Sequence, residues 1–174
     1  KHLIIKYINM IATIIIITVL VSVMSFNNDN LMNKLLFSPF QIYRYNQFYR
    51  MLSYGFVHSD WGHLIINMFV LYSFGNTTMY FIALVTKNSN IFFIFFYLSA
   101  LAVSTIYSFF KHKNNYSYAA VGASGAVSAV VFASILFYPL GSIRFIFIPI
   151  NIPAYVFGIL YLIYSAYMAK KAKD

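Results

Sequence analysis

Five apolar runs divide this chain, at residues 3–26, 62–85, 91–110, 121–138 and 153–169. A helix that crosses the hydrocarbon core of a bilayer needs roughly 20 mostly apolar residues. Lipid offers no partner to a free backbone N–H or C=O, so such runs must fold as helices that bond internally. The expected fold class is therefore all-α: a polytopic membrane helix bundle, one domain over residues 1–174. Composition agrees, with 61 % apolar and 9 % charged residues against about 45–50 % and 25 % in soluble domains. The first run is expected to be a retained anchor helix. It exceeds the apolar stretch of roughly 7–15 residues in a secretory signal, and Val23-Met24-Ser25 makes a poor cleavage site.

Between the first two runs, residues 27–60 form a polar-aromatic connection too long for an ordinary loop. It opens on Asn27-Asn28-Asp29-Asn30, contains Ser38-Pro39, and is rich in Tyr and Phe up to Arg50. Aromatic rings settle at the membrane–water boundary, so this segment is expected to lie in the interface. Gly75-Asn76-Thr77-Thr78 is expected to weaken the second helix midway. His112, between Lys111 and Lys113, is expected to be solvated. A short loop with Arg144 and Pro149 leads to the last run.

The net charge of +9 comes from twelve Lys and Arg against three acids. These cations are scattered between apolar runs instead of forming one stripe, which fits a lipid bilayer with anionic headgroups and excludes a nucleic-acid partner. With no Cys, a disulfide framework, a thiol nucleophile and a Cys-based metal site are excluded. No cofactor or metal is implied.

The fourth run differs from the rest. Small residues recur in it at spacing four, Gly122 with Ala126, and Gly125 with Ala129 and Ala133. Small residues let helix backbones approach closely in lipid, so this helix is expected at the centre of the bundle. Polar residues inside spans are costly and often functional. His63 and Asn67, four apart, share one helix face. His58 lies just ahead of that helix, and Ser59 or Asp60 can cap it. Taken singly, each of these residues also fits a plain packing or helix–helix bonding role.

Taken together, the residues resemble the rhomboid family. The matching pieces are Tyr49-Arg50, His58 with His63 and Asn67 in a His-x4-His-x3-Asn pattern, and Gly122-Ala123-Ser124-Gly125. The order of elements matches as well: anchor, interfacial loop, His/Asn helix, connecting helix, Ser helix. The resemblance implies an intramembrane serine endopeptidase that cuts transmembrane segments of other membrane proteins through a Ser-His dyad. Ser124 would be the nucleophile. His63, the Asn67 amide and the Ser124 N–H would form the oxyanion hole, with Arg50, His58, Gly122 and Gly125 as structural neighbours. In the family the base is a His on a sixth helix, so the chain is expected to be C-terminally truncated, with five spans of six, and inactive without the sixth. Many members carry Tyr where this chain has Ser128, and Glu where it has Met79.

The family layout puts the N-terminus inside and the active site outward. Lys34, Arg44, Arg50, Lys111, Lys113, Lys170, Lys171 and Lys173 then fall outside, against Lys1, Lys6, Lys87 and Arg144 inside, contrary to the positive-inside rule. The expected location is the inner membrane of a bacterium, as a multi-pass protein. The alternative reading is a non-catalytic rhomboid-like protein that binds transmembrane segments. An unrelated channel or transporter is disfavoured because no span holds an Asp or Glu.

Overall fold

The structure, a computed structural model, describes residues 2–145 and 148–171. The helices are α1 (His2–Phe26), α2 (Asp29–Leu35), α3 (Pro39–Tyr45), α4 (Arg50–Ser53), α5 (Trp61–Val85), α6 (Ser89–His112), α7 (Ser124–Phe137) and α8 (Ala154–Lys171). Strands β1 (Ser142–Phe145) and β2 (Ile148–Pro153) form an antiparallel hairpin between α7 and α8. In place of the short loop expected there, Ser142 pairs with Pro153 and Ile143 with Ile152.

Among the described residues, α5 and α6 are long and apolar enough to cross a membrane, and the stretches Met10–Phe26, Ser124–Phe137 and Ala154–Tyr167 are shorter apolar helices. Their outward faces stay apolar: Leu20 and Met24, Ile65 and Leu84, Phe92, Phe95 and Val103, Leu136, Ile159 and Ile163 are all exposed. A water-soluble bundle of this size would rarely leave so continuous an apolar surface. Lipid covers it at no cost.

Inside, α7 packs against α5, α6 and α8, and α5 also against α1, so the small-residue helix is central, as its composition predicts. Its neighbour α6 turns a single stripe inward, Phe93, Tyr97, Leu101 and Thr105, spaced one turn apart. Glycine allows the closest approach at Gly125, where a Cβ would sit 2.6 Å from the Ser104 Cβ of α6.

The expected weak point in the second span is absent, for α5 runs unbroken from Trp61 to Val85. The residues that lower helix propensity there are the ones that join helices. A Cβ on Gly75 would lie 3.0 Å from Ile11 of α1, and the Thr78 hydroxyl donates to the Val130 carbonyl of α7 at 3.0 Å. Tertiary contact outweighs the local propensity cost of about 1 kcal/mol for a mid-helix glycine.

The interfacial connection is ordered as α2, α3, α4 and a 3-10 turn, Tyr54–Phe56. Arg50 is buried and consumes its guanidinium internally: Nη1 donates to the carbonyls of Asn33 and Leu36, both at 2.8 Å, and Nε to Gln47 at 2.6 Å. Ser53 adds a bond to the Leu35 carbonyl at 2.7 Å. The carbonyls at the end of α2 that lack helical partners are thus satisfied from α4. Arg50 is thus a buried structural charge that ties α4 to α2. His112 also departs from expectation: it is half-buried and lies flat on Tyr118, ring centroids 3.8 Å apart.

Candidate active site

With 14 residues, α7 is about 21 Å long, short of the ~30 Å hydrocarbon core. The hairpin follows its C-terminal end, and Ser124 is its first residue. The chain that leads down to it is irregular, which lipid tolerates only where backbone polar groups find partners. They do. Phe37 and Ala120 exchange both backbone bonds, at 2.9 and 3.0 Å, Gly122 N–H donates to the Tyr54 carbonyl at 3.0 Å, and Ala123 N–H donates to His58 Nε2 at 3.4 Å. Tyr54 in turn donates its hydroxyl to the Leu101 carbonyl of α6 at 2.9 Å.

His58 is fully buried. Its Nε2 accepts from Ala123, so its proton is assigned to Nδ1, which meets Ser22 Oγ of α1 at 2.9 Å, and Ser22 passes its own proton to the Phe56 carbonyl at 3.0 Å. Burial first, and the nearby His63 second, push the His58 pKa down to about 3. A neutral ring is what this relay requires, because only the neutral ring has a nitrogen that accepts. His58 therefore props the backbone just before Ser124.

Asp60 caps α5, its carboxylate accepting the His63 N–H at 2.8 Å. That bond, with help from the Ser59 hydroxyl, holds its carboxyl below the usual range. The Ser59 hydroxyl sits between Asp60 Oδ2 at 2.8 Å and His63 Nδ1 at 3.2 Å. Ser59 gives its proton to Asp60, and the Nε2 edge of the His63 ring faces Gly122. A Cβ on Gly122 would lie 2.5 Å from His63 Cε1 and 2.7 Å from Nε2. Gly122 has φ +107, a backbone region closed to side chains. Both the turn and the ring need glycine here.

Asn67, 1 % exposed, lies one turn along α5. Its Nδ2 donates one proton to the His63 carbonyl at 3.0 Å, and its Oδ1 accepts from the Tyr161 hydroxyl of α8 at 3.1 Å. Ser124 is half-buried. Ala123 precedes it without a side-chain cap, so the first N–H groups of α7 keep no helical acceptor and present a partial positive charge.

The structure thus gathers His58, His63, Gly122 and Ala123 around the start of α7, with Asn67 one turn deeper. Gly125 faces the α6 side, and Arg50 serves α2. The bonds of His58 and His63 go to Ser22, Ala123, Ser59 and Asp60, and neither histidine bonds Ser124 Oγ. Sequence reasoning missed Ser22, Tyr54 and Tyr161. Ser22 had a weak signal, a hydroxyl inside an apolar helix. Tyr161 had none, as one of 16 tyrosines.

Residues 45–172 match the family model of the Rhomboid domain, a stretch that takes in His58, His63, Asn67, Gly122, Ser124 and Tyr161 but not Ser22 or Phe37. No curated protein and no solved structure matches the chain. The match and the apolar helices make it an integral membrane protein, and the chain belongs to the rhomboid family of intramembrane proteases.

Proposed function

We propose that the protein is a serine endopeptidase that cleaves transmembrane segments of other membrane proteins, with Ser124 as nucleophile. The observation that carries this reading is the contact of His63 with Gly122, two residues before the uncapped first turn of α7. Ser124 Oγ attacks the scissile carbonyl. Its proton passes to a base histidine, which the resemblance to the rhomboid family puts on a sixth helix, since neither His58 nor His63 bonds Ser124 Oγ. The oxyanion forms beside three donors: the Ser124 N–H, the His63 ring and the second Nδ2 proton of Asn67. Such pre-placed donors typically contribute a few kcal/mol each. The base then protonates the leaving amine, and water hydrolyses the acyl-enzyme. A substrate helix hides its carbonyls in internal bonds, so segments with helix-destabilising residues should be cut best. The cell location proposed is a bacterial cytoplasmic membrane.

The test is cleavage of a fluorescent transmembrane peptide by the full-length protein in liposomes. Wild type should cleave, and Ser124→Ala should reduce the rate to background. Cleavage by Ser124→Ala at the wild-type rate would overturn the reading. Peptide binding without any cleavage would point to the non-catalytic alternative.

A further inference from the structure

Tyr161 lies in the fifth apolar run, where the site as proposed gives it no part. It is 4 % exposed, and its hydroxyl donates to Asn67 Oδ1 of α5 at 3.1 Å. The helix that carries it also packs against α7. One oxygen on α8 is therefore bonded to the Asn67 amide of α5, from a helix that lies against the Ser124 helix. The ring is held from below, near-parallel to Phe157, which packs on Phe74 of α5 with centroids 5.1 Å apart.

An amide is planar, so its orientation is set once both ends are bonded. On Asn67, one Nδ2 proton goes to the His63 carbonyl and Oδ1 goes to Tyr161. With the plane held at these two points, the direction of the remaining Nδ2 proton is determined as well. Without the phenol hydroxyl the buried Oδ1 would lack its donor and the amide could turn about its Cβ–Cγ bond, and preorganised donors lose their effect when they must reorient during reaction. We infer that Tyr161 is a positioning residue that sets the Asn67 amide for oxyanion binding. This rests on the peptidase reading above for its catalytic consequence, but not for the bond itself.

The experiment uses the full-length protein and Tyr161→Phe, which removes one oxygen and keeps the ring. The variant should lower kcat about tenfold with KM nearly unchanged, the size expected for misplacing one hydrogen-bonded group. In an Asn67→Ala background the same change should have no further effect, since Tyr161 acts through that amide. A merely structural role would predict an equal loss in both backgrounds, and that result overturns the inference, as does a wild-type kcat for Tyr161→Phe. If wild type shows no Ser124-dependent cleavage, the peptidase reading fails on its own. The side-chain NH2 resonances of Asn67 in protein labelled with ¹⁵N-Asn then decide the positioning role. Displacement and faster hydrogen exchange in Tyr161→Phe support it, and coincident spectra overturn it.

Discussion

Asn67 and His58 are both buried polar residues, yet they differ in what they leave free. The Asn67 amide bonds the His63 carbonyl with one of its two Nδ2 protons, whereas the two ring nitrogens of His58 are both committed. Asn67→Ala should therefore act on turnover, lowering kcat roughly 10²-fold, the usual scale for one oxyanion donor, with little change in KM. Steady-state kinetics on the full-length protein check this, and an unchanged kcat would remove Asn67 from the oxyanion hole. His58 should act on stability instead. Its folded pKa of about 3 lies below its ordinary 6.5. Between these values the unfolded chain takes up a proton that the folded chain refuses. Stability from this residue is thus complete above pH 6.5 and falls as the pH drops towards 3. Asp60 adds its own loss only below its ordinary value of 3.8. Thermal midpoints in detergent at pH 7 and 4.5 should show a smaller acid penalty for His58→Gln than for wild type. Equal penalties would mean that His58 is not held neutral.

At the scale of elements, the short α7 and its approach turn do most to define the site. The turn depends on Gly122, where an alanine would meet both a forbidden backbone region and the His63 ring. Gly122→Ala should cost about 1–3 kcal/mol from the backbone alone and displace His63. It should lower both the thermal midpoint and activity. Gly125→Leu should disrupt packing, because its position abuts Ser104 of α6, and an unchanged midpoint would contradict this central placement of α7. By contrast, the Thr78 bond across to α7 is an ordinary interhelical bond, and Thr78→Val should cost only about 0.6 kcal/mol.

For the molecule as a whole, lipid is the missing layer. Val103 is 62 % exposed on α6 and Tyr116 is 74 % exposed beyond its end. Both would meet water if the bundle were soluble. The chain has no Cys, so single cysteines give a clean readout. In liposomes Tyr116→Cys should react readily with a membrane-impermeant maleimide, and Val103→Cys should react only after solubilisation in denaturant. Fast labelling of Val103→Cys in intact liposomes would refute the membrane placement of α6. The cations near this end are arranged for an interface. Lys113 lies over Tyr43 with Nζ 5.2 Å from the ring centroid, and Arg44 lies over the same ring at 5.6 Å.

The sequence by itself determined the class of protein, because apolar run length answers directly to bilayer thickness and needs no knowledge of contacts. It also determined that α7 would be central, since only small side chains permit close backbones on several sides. The candidate site was legible in part for a similar reason. His63 and Asn67 share a face by helical period alone, and Gly122 stands where no side chain fits. Pairings between distant segments were not legible. His58 bonds Ser22 across 36 positions and Asn67 bonds Tyr161 across 94, and nothing local marks either partner. Local propensity misled at Gly75, where the helix continues because α1 and α7 close on it. The partners of Arg50, the carbonyls at the end of α2, were equally out of reach of local reasoning. Those choices belong to the tertiary structure, because a buried polar group must find its partner wherever the packed chain brings one within reach.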